Sequence, residues 1–147
     1  RERGAGLPAD LEAALGLALP EAPNTAAGVR PRALAPGPGE WVLIDAAPGE
    51  VEAALATCPG VLSHYADLSD ARAGFLVTGE AAARLIASEC PLDLAALPPD
   101  RCAQSVFAGM PILVDRRAGE DGFRLYVDVS LAAHLSAWLG AVAAEFG

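Results

Sequence analysis

The chain has no lysine, and all ten of its basic residues are arginine. That absence excludes a P-loop lysine, a Schiff-base lysine and a Ser-Lys dyad, and with them the chemistry those groups support. A GC-rich coding sequence is the simplest source of the bias. Cations are scarce as well as uniform: ten face nineteen acidic residues, for a net charge of −9. A phosphate backbone needs clustered cations and an anionic membrane surface needs a basic patch, so neither is an expected partner.

Cysteine and histidine are sparse too. Cys58, Cys90 and Cys102 are odd in number and form no CxxC pair, so neither a disulfide framework nor a zinc knuckle is indicated, and a reducing cytoplasm fits best. His64 and His134 lack any HxxxH spacing. His134 borders an apolar stripe and is expected to be partly buried in a packing role. No GxGxxG follows a strand pattern, so a flavin or nicotinamide fingerprint is missing, and Gly4-Ala5-Gly6 stands outside any such context. No apolar run reaches the roughly 18 residues of a spanning helix. The opening Arg1-Glu2-Arg3 precedes no signal-peptide core, and because the chain does not start with Met its start is expected to be incomplete.

What is present supports an ordinary core. A chain of 147 residues buries roughly two-thirds of its unfolded surface. The organising stretch is residues 67 to 105. Phe75 and Val77 alternate with Gly74, Leu76 and Thr78, the period of a strand, and Thr78-Gly79-Glu80 then offers an N-cap and a first-turn acid. A helix over Ala82, Leu85, Ile86 and Glu89 follows, stopped by Pro91.

Upstream, residues 8 to 19 suggest a short helix capped by Asp10 and weakened by Gly16. From Pro20 to Gly39, recurring proline and glycine break regular structure, and the stretch reads as an extended arm or linker that a partner would order, or equally as a disordered lead-in. This divides the chain into an arm, 1–39, and a single domain, 40–147. Trp41 to Ile44 reads as a strand, Pro48 opens a helix with Val51, Leu55 and Cys58 on one face, and Pro59-Gly60 closes it. Val61 to Ala66 reads as a strand paired antiparallel with Ala73 to Thr78.

Downstream, Cys102–Phe107, Ile112–Arg116 and Phe123–Val129 form a meander turned at Gly109-Met110-Pro111 and at Gly119 to Gly122. Phe123, Leu125 and Val127 should point inward. Ser130 should cap a last helix whose stripe is Leu131, Leu135, Trp138, Leu139, Val142 and Phe146, with Trp138 and Leu135 anchoring the core. The fold class is α+β, antiparallel strands with helices packed on them in two layers.

No self-sufficient active site emerges. Cys90 follows its helix instead of opening it, so no helix N-terminus activates the thiol, and a packing role is expected. Asp67 and Asp93 suit turn capping; an acid so placed also suits the amide and guanidine edge of a pterin. Arg116 and Arg117, with Arg124 on the next strand, form a small basic spot, read as a solvated face or an ion-paired patch at a subunit contact.

Several motifs carry a family resemblance. Asp67-Leu68-Ser69, the strand ending in Thr78-Gly79-Glu80, Glu89-Cys90-Pro91-Leu92-Asp93-Leu94, Arg101-Cys102-Ala103-Gln104-Ser105, Asp121-Gly122-Phe123 and Ala137-Trp138-Leu139 resemble the gamma subunit of heterotetrameric sarcosine oxidase. The motif residues are thus Asp67, Leu68, Ser69, Gly79, Cys90, Pro91, Asp93, Cys102, Gln104 and Trp138. Asp70 stands where His often follows DLS, and Val129 where a basic residue often precedes Ser130. A more distant resemblance links the chain to the folate-binding T-protein, or aminomethyltransferase, superfamily.

The resemblance implies a T-protein-like folate-binding domain fold and a structural, docking subunit that is inactive alone. It implies alpha, beta and delta subunits as partners, in a complex using FAD, FMN, NAD, zinc and tetrahydrofolate on those other chains. That complex would oxidise sarcosine to glycine, hydrogen peroxide and 5,10-methylenetetrahydrofolate in the cytoplasm. No catalytic, cofactor-binding or metal residue is assigned here, and although Glu120-Asp121-Gly122 is the nearest match to a folate-holding acid, no folate ligand is carried over. The alternatives are a stand-alone folate-binding or repair protein of the T-protein superfamily, and an unrelated small binding module. Against the former, the K-G-C-x-x-G-Q signature is absent.

Overall fold

The computed structural model describes residues 7–58 and 62–145, which form two compact units, up to Asp67 and from Leu68 onward. The first contains helix α1 (Leu7–Leu15), strands β1 (Thr25–Ala27), β2 (Arg32–Gly37) and β3 (Glu40–Ile44), and helix α2 (Pro48–Ala56). The second contains β4 (Arg72–Val77), α3 (Ala82–Ala87), β5 (Arg101–Phe107), β6 (Met110–Arg116), β7 (Phe123–Asp128), a 3₁₀ turn (Val129–Leu131) and α4 (Ala132–Ala143).

In the first unit β2 pairs antiparallel with both β1 and β3. Two of these strands lie in the stretch expected to be an extended arm, and the expected boundary at Gly39 falls in the turn between paired strands. The prolines explain how the stretch still forms a sheet. Pro20, Pro23, Pro31 and Pro38 lie outside the strands, and Pro36, which has no N–H to give, sits where the β2–β3 register shifts between Leu34 and Gly37. Arg32, Ala33, Leu34 and Ala35 are all buried, the mark of a strand covered on both faces. Leu11 of α1 and Ala54 of α2 pack with Leu17, Leu19 and Ala33, and the Trp41 indole N–H donates to the Pro20 carbonyl at 2.8 Å. Asp10 lies within α1 instead of capping it, and the helix stops before Gly16. On α2, Val51 and Ala54 are buried and Leu55 is half-buried, and Cys58, just past the helix end, is buried as well. Pro59 to Val61 and Phe146 lie outside the described residues.

The second unit's strands run β5-β6-β7-β4, all antiparallel. The expected partner of β4, residues 62 to 66, has no strand geometry; β4 pairs instead with β7, Arg72 opposite Asp128 through Val77 opposite Phe123. Leu62, fully exposed, shows why alternation there had nothing to bury. The meander forms as expected, except that β5 and β6 are joined by two residues, Ala108 and Gly109. Both have positive φ, 47° and 78°, the requirement of the hairpin turn whose twist matches the strands.

Phe123, Leu125 and Val127 point into a core completed by Val114, Phe107, Leu85 and Ile86 of α3, and Leu135 and Val142 of α4. Each such side chain contributes about 1.5–3 kcal/mol by leaving water. Strands and helices thus form two layers. The helix ends differ from expectation. Helix α3 starts at Ala82, without a Thr78 cap. Asp128, not Ser130, is the cap before α4: its Oδ1 accepts from the Ser130 N–H at 2.9 Å and the Ser130 hydroxyl at 2.6 Å.

Candidate functional site

A cleft of about 220 Å³ opens in the second unit, lined among others by Gly79, Glu80, Ala82, Arg116, Glu120 and Phe123. Two close approaches shape it. The loop after β4 brings Gly79 to one wall, and the turn before β7 brings Gly122 to another with φ of 134°. A Cβ on Gly122 would lie 2.3 Å from the Val77 carbonyl oxygen, so only glycine fits.

The arginines expected as a basic spot are each engaged within the chain. Arg116 donates to the Leu97 carbonyl, and its guanidinium carbon sits 5.5 Å from the centre of the Phe123 ring. Arg117 pairs with Asp115 at 3.0 Å and donates to the Tyr126 hydroxyl at 3.2 Å. Asp115 is fully buried, where an unpaired carboxylate would be very costly, so Arg117 is its necessary counter-charge. Burial pushes the Tyr126 hydroxyl pKa up, against the opposing pull of Arg117. Glu120 accepts two hydrogen bonds from Arg124, which holds that guanidinium more firmly protonated. The spot is therefore an internal ion-pair network. Of its acids, Asp115 was not singled out from the sequence and Glu120 was named only within the Glu120-Asp121-Gly122 turn, although the cross-strand spacing of Asp115 and Arg124 was the available signal.

Of the polar side chains lining the cleft, Glu120 is held by Arg124 and Arg116 by the Leu97 carbonyl, while Glu80 and Asp121 are exposed. Among the described residues, no group of three or more His, Cys, Asp and Glu is placed to hold a metal ion.

The sequence motif residues are dispersed. Gly79 alone of them lines the cleft. Asp67 is the last residue of the first unit, while the Leu68 carbonyl accepts from the Ala71 and Arg72 N–H groups and so forms the turn into β4, with Ser69 exposed. Cys90 is buried, with Sγ 3.3 Å from the Ser105 hydroxyl, and tethers the end of α3 to β5; Pro91 after it is exposed. Asp93 caps a turn, its Oδ1 accepting from the Ala96 N–H at 3.1 Å. On β5, Cys102 is fully buried and Gln104 is exposed. Trp138 is not a core anchor: it is 38% exposed on the outer face of α4, its ring 6.0 Å from that of His134, which is also exposed and not partly buried. His64 is exposed as well.

The family model for the sarcosine oxidase gamma subunit matches residues 4–145. The chain belongs to the sarcosine oxidase gamma subunit family. Among solved structures, a chain of heterotetrameric sarcosine oxidase from Corynebacterium sp. U-96, in complex with pyrrole 2-carboxylate, aligns with a TM-score of 0.86 at 28% identity, covering 99% of this chain and 77% of that one. No curated protein matches it. The α+β fold is thus that of a gamma-family subunit. No helix among its described residues is long and apolar enough to cross a membrane.

Proposed function

We propose that this gamma-family chain is a non-catalytic structural and docking subunit of a heterotetrameric sarcosine oxidase. Its partners are the alpha, beta and delta subunits, which carry FAD, FMN, NAD, zinc and tetrahydrofolate. The complex oxidatively demethylates sarcosine to glycine, hydrogen peroxide and 5,10-methylenetetrahydrofolate in the cytoplasm. The observation that carries this reading is the family match from residue 4 to 145, in company with a structural likeness to a heterotetrameric sarcosine oxidase over nearly the whole chain. The cleft supports the non-catalytic role, because Glu120 and Arg116 on its walls are held by Arg124, Leu97 and Phe123.

The test is co-expression of the four subunits with and without this chain. Sarcosine-dependent peroxide production by the complete complex, no activity from the isolated chain, and failed assembly when it is omitted are the expected results. Sarcosine oxidation or aminomethyl transfer by the isolated chain would overturn the reading.

A further inference from the structure

Between Asp128 and Glu145 the chain carries no Asp, Glu or Arg, although 20% of its residues are charged. Helix α4 occupies most of that interval, roughly 18 Å of length. Its inner face is spoken for, with Leu135 and Val142 in the core. The outer face is exposed yet almost equally apolar: Ala133, Ala137 and Ala141 form one ridge, His134 and Trp138 the next, and Val129, 51% exposed, precedes both. A helix that is apolar all round is ordinarily covered on both sides, and an exposed apolar patch of this kind marks a contact surface.

We propose that the outer face of α4 docks an apolar surface, rimmed by Arg or Lys, on another subunit of the oxidase; this rests on the assembly reading above. Charge selects the occupant. The face ends at Glu145 on one side and at Asp128, beside Arg72, on the other, both carboxylates exposed. A second copy of the chain would bring the same carboxylates and another net charge of −9, so self-association is opposed, whereas a basic rim is attracted. The alanine ridge lets a partner backbone approach closely. Trp138, already leaning on His134, supplies the one large side chain able to fill a partner pocket.

The test is recovery of co-expressed alpha, beta and delta subunits with the tagged full chain. Ala137→Arg and Ala141→Arg place a charge on the ridge, Glu145→Arg reverses the rim, and Glu52→Arg on the exposed side of α2 is the control. Recovery is expected to fall at least about tenfold for the two ridge variants and severalfold for Glu145→Arg, as for a charge buried or mismatched in an interface. Glu52→Arg should behave as wild type, and the isolated variants should keep the wild-type melting temperature. Should Ala137→Arg melt lower, Ala141→Arg, one turn on, decides.

Wild-type recovery by both ridge variants overturns the docking face while leaving the assembly reading intact. Failure of the wild-type chain to recover any subunit overturns the assembly reading itself. A wild-type homodimer in solution that Ala137→Arg splits would show that the occupant is a second copy, and would overturn the proposal in that respect.

Discussion

Asp128 Oδ1 lies 2.6 Å from the Ser130 hydroxyl and 2.9 Å from the Ser130 backbone nitrogen, so one carboxylate oxygen organises the step from β7 into the last helix. These two hydrogen bonds, the side-chain one first, lower the Asp128 pKa below its ordinary 3.8. A carboxylate whose pKa is lowered by folding stabilises the fold above its unfolded pKa, and that stabilisation is lost as pH falls through the folded value. Asp128→Ala should therefore melt below wild type at pH 7, with the gap closing as both are titrated to below pH 4. Melting curves by circular dichroism across that range provide the check; a gap that persists unchanged in acid would refute the capping role.

Leu135, and not Trp138, anchors α4. Leu135→Ala removes a fully buried side chain and should cost about 2–5 kcal/mol. Trp138→Ala, on the exposed face, should cost less than about 1 kcal/mol in the isolated chain. Urea unfolding of both variants measures the difference.

Gly122→Ala should destabilise the second unit by about 1–3 kcal/mol, because the new methyl meets the Val77 carbonyl oxygen and Thr78 while the backbone keeps its positive φ. Gly119→Ala, where a Cβ would meet nothing within 4 Å and φ is the milder 75° against 134°, is the comparison for a positive φ without a clash. If the two variants unfold at the same urea concentration, neither the close approach at Gly122 nor its less favourable φ contributes.

Deleting residues 1–39 should unfold what remains of the first unit, since β3 would lose β2 and the core would lose Leu11, Leu17, Leu19 and Ala33. Limited proteolysis should then cut within residues 40–67 while fragments of the second unit persist. Protection of residues 40–67 equal to that in the full chain would show the expectation to be wrong.

The sequence was most legible where one face of an element meets water. Strand β7 alternates Phe123, Leu125 and Val127 with Arg124, Tyr126 and Asp128, and its strand and inward face were both readable. Strand β2 was missed because it is covered on both faces and built largely of alanine, which leaves no alternation, and because its Pro36 is accommodated by a register shift that only the pairing reveals. The pairing of β4 with β7 joins segments about fifty residues apart, and nothing local favours it over the nearer residues 61 to 66. Trp138 was misplaced for a different reason: α4 is apolar all round, so its periodicity marks a helix without saying which face is buried. At the site, the arginines were visible as a cluster, but Asp115 and Glu120 become their partners only once β6, β7 and the turn between them are folded.

The three thiols divide between the units in a way that makes them natural clocks. Cys58 is buried in the first unit and Cys90 and Cys102 in the second, none of them in a disulfide. A thiol-alkylating reagent can reach each sulfur only when its own unit opens, so the order in which Cys58 and the Cys90–Cys102 pair gain mass gives the relative opening rates of the two halves. With no lysine in the chain to compete for the same reagent, the thiols are its main targets, beside only the slower imidazoles of His64 and His134 and whatever amine begins the chain.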